Sequence, residues 1–154
     1  MKAEVRWKGN LSFTGTADSG FEVPLGTLPA VGGDDDGFRP LELMALSLAG
    51  CTAMDVISIL QKKRQQVADY RVDIQADRAG EHPKVFTEAL LEYHLAGDDL
   101  DEQAVIRSIE LSATKYCPAQ AMLGEIIPLT MKYYIYQGED LGTAELMVEG
   151  SYQG

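Results

Sequence analysis

Positive charge is scarce in this chain. Thirteen Lys and Arg stand against 24 Asp and Glu, a formal net charge of −11. A surface that acidic repels phosphate backbones and anionic lipid heads, which argues against a nucleic-acid or membrane partner. Cysteine is scarcer still: the 154 residues hold two, too few for a disulfide framework. In a reducing compartment such a pair is either incidental or chemical. There is no internal repeat and no low-complexity segment, and the 45% hydrophobic and 24% charged content is that of a folded globular chain. The length predicts one domain, residues 1–154. The opening stretch Met1-Lys2-Ala3-Glu4-Val5-Arg6-Trp7 alternates in polarity and has no apolar run of the signal-peptide kind, so a cytoplasmic protein is expected.

The chain is organised as strands, a long helix, strands, helices and strands. Ala3 to Trp7 and Leu11 to Thr16 alternate with period two around the turn Lys8-Gly9-Asn10, which predicts a hairpin, and Phe21-Glu22-Val23 is a third short strand. Gly32 to Gly37 is a loop. Pro40 suits the first turn of a helix, Glu42 its positive end, and Gln61-Lys62-Lys63-Arg64 its negative end. Between them Leu43 to Leu60 holds a single charge, Asp55. Apolar residues occupy almost every angle of this helix, so burial on all sides is expected, with a second copy of the chain covering what one small domain leaves open. Asp55, Gly50, Ser47, Thr52 and Ser58 argue against a membrane span. Tyr70 to Ala76 and Val85 to Leu95 follow as strands, then a helix opened by Asp98 to Asp101 and carrying Ala104, Val105, Ile106 and Ile109 at helical spacing. Cys117-Pro118 opens a short helix through Leu123, and Leu129 to Gln137 and Ala144 to Val148 close the chain as strands. The fold class is α+β.

Both cysteines sit in unusual settings. Cys51 lies mid-helix, with Ser47 one turn before and Asp55 one turn after on the same face. It reads either as a small hydrophobe of a packed helix or as part of a polar strip lining a pocket. Cys117 precedes a helix-opening proline, where free backbone N–H groups and the helix dipole favour a thiolate, with the Lys115 ammonium two residues away. A lowered thiol pKa is therefore expected there. With His82 and His94 the cysteines contain the residue types of a Cys2His2 set, but no pair has finger spacing and both histidines read as surface residues, so no metal is expected.

The stretch Gly37-Phe38-Arg39-Pro40-Leu41-Glu42 through Leu48-Ala49-Gly50-Cys51-Thr52-Ala53-Met54-Asp55-Val56 resembles the helix of the OsmC/Ohr family, the osmotically inducible and organic hydroperoxide resistance proteins. Lys115-Tyr116-Cys117-Pro118 is similar to that family's second cysteine motif, and the order of elements agrees along nearly the whole chain. The resemblance implies an OsmC-like fold: an intertwined homodimer with two long central helices flanked by antiparallel sheets. It also implies a thiol peroxidase with no cofactor, acting in the oxidative stress response. Cys51 would then be the peroxidatic thiolate and Cys117 the resolving thiol, with a hydroperoxide as substrate and a dithiol as reductant.

The chain departs from the family at the helix start. In the hydroperoxide reductases a glutamate follows the helix-opening proline and pairs with an arginine of the hairpin loop. Here Leu41 follows Pro40, the acid is displaced to Glu42, and Lys8-Gly9-Asn10 carries no arginine. Glu42 is about two and a half helical turns from Cys51, so it points to the opposite side. Arg39 is the guanidinium nearest the helix start, either serving the site with Glu42 or forming a surface pair with it. This pattern resembles a divergent branch. The first reading is a hydroperoxide reductase whose pocket, lined by Leu48, Met54 and the partner subunit, favours organic peroxides. The alternative is a non-catalytic dimeric module that binds a small apolar ligand or senses redox state.

Overall fold

The computed structural model describes residues 1–152, which form seven strands and three α-helices. The chain divides into two compact units, 1–44 and 45–154.

The first unit is a three-stranded antiparallel sheet of β1 (Ala3–Gly9), β2 (Ser12–Ala17) and β3 (Glu22–Leu25), in that order. The expected hairpin forms, with its turn one residue later than Lys8-Gly9-Asn10. Gly9 pairs with Ser12, and Gly9 and Asn10 take positive φ of 126° and 45° at the corner. After β3 the chain folds back on that strand: the Phe38 N–H donates to the Pro24 carbonyl at 3.0 Å and the Gly26 N–H to the Phe38 carbonyl at 3.0 Å. Gly37 permits this approach, since a Cβ there would meet the Leu25 nitrogen at 2.7 Å.

Helix α1 (Pro40–Lys62) begins at the expected proline and ends in the expected cations. Its last turn is closed by Arg64 in the left-handed region at φ 59° and by the Gln65 N–H donating to the Leu60 carbonyl at 3.0 Å. It is the one helix among the described residues long and apolar enough to cross a membrane. In the single chain it is buried along one face only, at Leu48, Ala49, Thr52, Val56 and Leu60, while Leu46 and Met54 are exposed. The expectation of burial on all sides therefore fails for one chain. One sheet can cover only one side of a helix, and the apolar residues opposite are left without cover.

The second unit holds β4 (Val67–Arg78), β5 (Phe86–Gly97), α2 (Glu102–Leu111), α3 (Pro118–Gly124), β6 (Leu129–Gln137) and β7 (Glu145–Tyr152). Its sheet runs β4-β5-β6-β7. Here the expectation of purely antiparallel sheets needs correcting: β5 and β6 pair in parallel, from Ala89 beside Leu129 to Ala96 beside Tyr136. The connection between them passes through α2 and α3, and a helical crossover of that length returns the next strand in the same direction. Alternate residues of β5 and β6 (Leu91, Tyr93, Leu95; Met131, Tyr133, Ile135) face a core shared with Leu48, Val56 and Leu60 of α1 and Val105 and Ile109 of α2. Asp101 caps α2 by accepting the Gln103 N–H at 3.0 Å, as the acidic cluster there foretells. Between α2 and α3 the chain makes a π-helical turn, Ser112–Tyr116, that the regular spacing of apolar residues does not signal.

Candidate active site

Four elements converge on the two cysteines. Helix α1 presents Cys51 and Asp55 one turn apart on one face, with Thr52 beside them turned fully into the core. The π turn brings Ser112 to α1 and then returns the chain, so that the Cys117 N–H donates to the Ser112 carbonyl at 2.9 Å. Cys117 is the N-cap of α3, with Pro118 as first helical residue as expected. β5 contributes Tyr93, whose side chain alternation has already placed inward.

Both thiols are free; Cys51 is half-buried and Cys117 is 2% exposed. The sulfur atoms of Cys51 and Cys117 and a carboxylate oxygen of Asp55 lie within 4.8 Å of one another. Residues far apart in sequence thus form one cluster, and among the described residues it is the only set of three candidate metal donors. His94 is not in it: its ring stacks on Tyr134 at 4.7 Å and its side chain is only 13% exposed, so it is not the surface residue expected. Burial and the nearby Arg71 charge hold its pKa below the usual histidine value.

A line of buried hydroxyls leads to the cluster. Thr52 Oγ1 lies 2.7 Å from the Tyr93 hydroxyl and 2.9 Å from Ser112 Oγ, and Ser112 donates to Asp55 Oδ2 at 3.1 Å. An ionised carboxylate only accepts, and each hydroxyl has one hydrogen. The donors must then run from Tyr93 to Thr52 to Ser112 to Asp55. Burial pushes the Tyr93 pKa far above its ordinary value, which keeps that first donor protonated. Two further polar atoms, the Tyr70 hydroxyl and Gln120 Nε2, are buried with no hydrogen-bond partner among the described residues.

The Cys117 thiol departs from expectation. The Gln120 N–H does reach its sulfur, at 3.4 Å, and this helix-start donor lowers the pKa. Burial outweighs it, the Cys51 thiol adds to the rise, and the pKa is pushed up to about 12. Lys115 does not offset this, because its ammonium sits over the Tyr116 ring, 5.2 Å from the centroid.

An open groove of about 230 Å³, lined by Asp55, Ser58, Ile59, Lys62, Leu111 and Tyr116, begins at the cluster's carboxylate. This lining replaces the expected one: Leu48 points into the core and Met54 is 69% exposed. Thr52, Tyr93, Ser112 and Gln120 were not foreseen as site residues. Only Thr52, next to Cys51 on a helix with few polar residues, carried a signal.

Arg39 and Glu42 lie in the first unit and hold each other. Glu42 accepts the Arg39 backbone N–H at 3.0 Å and its Nη1 at 2.6 Å, while Nη2 donates to Asp35 at 3.1 Å. The backbone N–H, then the guanidinium, hold the Glu42 carboxyl below the usual range. This is half of a capping box at the start of α1.

Residues 33–132 match the family model described as OsmC-like protein. Protein YhfA of Escherichia coli (strain K12) is 37% identical over 135 residues, spanning 88% of this chain and 98% of that protein. The crystal structure of a hypothetical protein from Aquifex aeolicus VF5 is similar with a TM-score of 0.78 and 28% identity, over 90% of this chain and 97% of that one. An organic hydroperoxide resistance protein OsmC from Legionella pneumophila shares the fold with a TM-score of 0.65 at 15% identity, over 87% and 94% of the two chains.

Proposed function

This chain belongs to the OsmC-like family, and from that premise we propose that it reduces organic hydroperoxides, with Cys51 as the peroxidatic and Cys117 as the resolving thiol. The observation that carries this reading is the pair itself: two free thiols within 4.8 Å, one half-buried and the other buried, beside a carboxylate that lines an open groove.

The Cys51 thiolate attacks the peroxide O–O bond and takes one oxygen as a sulfenic acid. The alkoxide leaves and takes up a proton. That proton comes from solvent, and Asp55, fixed by Ser112 within 4.8 Å of both sulfurs, remains the acceptor that ends the hydroxyl line. The Cys117 sulfur then attacks the sulfenic sulfur, water departs, and an intramolecular disulfide forms, which a dithiol reductant reopens. Ile59, Leu111 and Tyr116 of the groove suit the organic part of the substrate better than hydrogen peroxide alone. The Arg39–Glu42 pair closes on itself at the start of α1 and carries no step in this reading. A second copy of the chain covers the face of α1 that exposes Leu46 and Met54. The reducing cytoplasm keeps the pair as thiols between turnovers.

The test is a thiol titration of the reduced chain with one equivalent of an organic hydroperoxide, followed by intact-mass measurement. Loss of two thiols and of two hydrogens in mass, within one chain, is expected, together with turnover when a dithiol is supplied. No thiol loss refutes the proposal and favours a binding or redox-sensing module instead. Disulfides found only between chains refute the resolving role of Cys117.

A further inference from the structure

The same three side chains form a metal site of a kind the peroxidase reading does not use. We propose that the reduced chain binds one soft divalent cation, Zn²⁺ by chemistry, through Cys51 Sγ, Cys117 Sγ and the Asp55 carboxylate. Two thiolates and one carboxylate are the donor set of a zinc-type ion rather than of magnesium or calcium, which take oxygen donors throughout. The reach is right. Around a tetrahedral zinc with sulfur at about 2.3 Å, donors sit about 3.8 Å apart. The three donor atoms here are already within 4.8 Å of one another, so they need to close by at most about an ångström.

Three further features fit a ligand set. Cys51 and Asp55 stand one turn apart on a helix, a spacing that points two donors at one ion. The outer groups are in place as well: Ser112 holds the Asp55 carboxylate at 3.1 Å and the Gln120 N–H supports the Cys117 sulfur at 3.4 Å. The groove lined by Asp55 opens the carboxylate side of the cluster to solvent.

Binding displaces the two thiol protons. It also ties the metal to the redox state, since a disulfide offers no thiolate. When a hydroperoxide oxidises the pair, the two thiolates lose two electrons and form the S–S bond. The peroxide takes those electrons and two protons from solvent to give alcohol and water, and Zn²⁺ is released. Release by peroxide rests on the peroxidase reading; binding to the reduced chain does not.

The reduced full-length chain, stripped with a chelator, is titrated with Zn²⁺ alone in competition with a chromophoric chelator. One equivalent bound per chain is expected, with at least a tenfold loss of affinity in Asp55→Asn and loss of binding in Cys51→Ser and in Cys117→Ser. Ser112→Ala should weaken binding about 10- to 100-fold. Because a variant at this cluster can fail to fold, the wild-type chain carries a second measurement: its thermal midpoint should rise with Zn²⁺ when reduced and stay fixed once the disulfide has formed. No competition by the reduced chain, equal affinity in Asp55→Asn, or equal binding by the oxidised chain each overturns the site. Peroxide turnover of the metal-free chain is measured alongside. Turnover without zinc binding sinks this inference alone, and zinc binding without turnover supports it while sinking the peroxidase.

Discussion

Cys117 is expected to be the slow thiol of the reduced protein, and the structure gives the size of the effect. Burial is the leading cause of its raised pKa, the Cys51 thiol adds to it, and the Gln120 and Ala119 N–H groups pull the other way without winning. With the pKa near 12, only about 3 in 100,000 Cys117 side chains are thiolate at pH 7.5, against about one in ten for a free cysteine of pKa ~8.5. The ratio is roughly 3,000-fold. A more basic thiolate attacks faster, by about 40-fold for a Brønsted slope of ~0.45 over that pKa difference. The net expectation is alkylation on the order of 100-fold slower than a free cysteine, before any hindrance from burial. The assay is a time course with iodoacetamide, each cysteine followed by peptide mass. Cys51 should be labelled first in the wild-type chain. In Cys51→Ala two of the causes that raise the Cys117 pKa disappear, yet the leading one stays, so Cys117 should still react well below its rate in the denatured chain. Labelling of Cys117 ahead of Cys51, or at the denatured rate in Cys51→Ala, would refute burial as the controlling cause and restore the helix start as the dominant influence.

Thr52→Val keeps the side-chain volume but removes the hydroxyl that bridges Tyr93 and Ser112 in a fully buried position. The expected cost is about 1–3 kcal/mol by urea denaturation, or a melting point lower by roughly 5 °C, and a change within error would remove the hydroxyl line as a structural element. The reduced protein should scatter light as twice the 16.8 kDa chain mass, and a stable monomer at micromolar concentration sinks the second copy over α1. Folding lowers the His94 pKa from 6.5, so the unfolded chain takes up this proton first as the solution is acidified. Its contribution to stability is present above pH 6.5 and is lost as the pH falls through the lower folded value; His94→Phe should flatten that part of the stability profile, and an unchanged slope would assign it to other groups.

Much of the chain was legible because its punctuation is local. Pro40 and Lys62 mark the ends of α1, Asp101 caps α2, and Cys117-Pro118 opens α3, each where sequence spacing put it. What the sequence hid is non-local. The parallel pairing of β5 with β6 depends on where a crossover lands, not on the composition of either strand. A helix apolar all round has no moment to say which side meets the sheet, so Leu48 and Met54 looked alike although one is 2% and the other 69% exposed. The sign of the Cys117 shift failed for a related reason. The helix-start donor is a sequence feature and is present, while the burial that overrides it is supplied by tertiary packing. Spacing alone did not bring Cys51 and Cys117 together either; the family resemblance implied it.

The hydroxyl line explains how the fold holds that cluster in register. A core this small would be simplest with Phe, Val and Ala at positions 93, 52 and 112, yet Tyr93, Thr52 and Ser112 are all fully buried there. A hydroxyl buried without a partner costs about 1–3 kcal/mol, so each of the three is costly alone and the set costs least when complete. Completion needs a terminal acceptor, and Asp55, the only charge between Leu43 and Leu60, supplies it. Rotating α1 to carry Cys51 away from Cys117 would also withdraw Thr52 from Tyr93 and Asp55 from Ser112. Straightening the π turn would displace Ser112 together with the backbone that holds Cys117. The penalty for unpaired buried hydroxyls therefore opposes the same motions that would separate the two sulfurs.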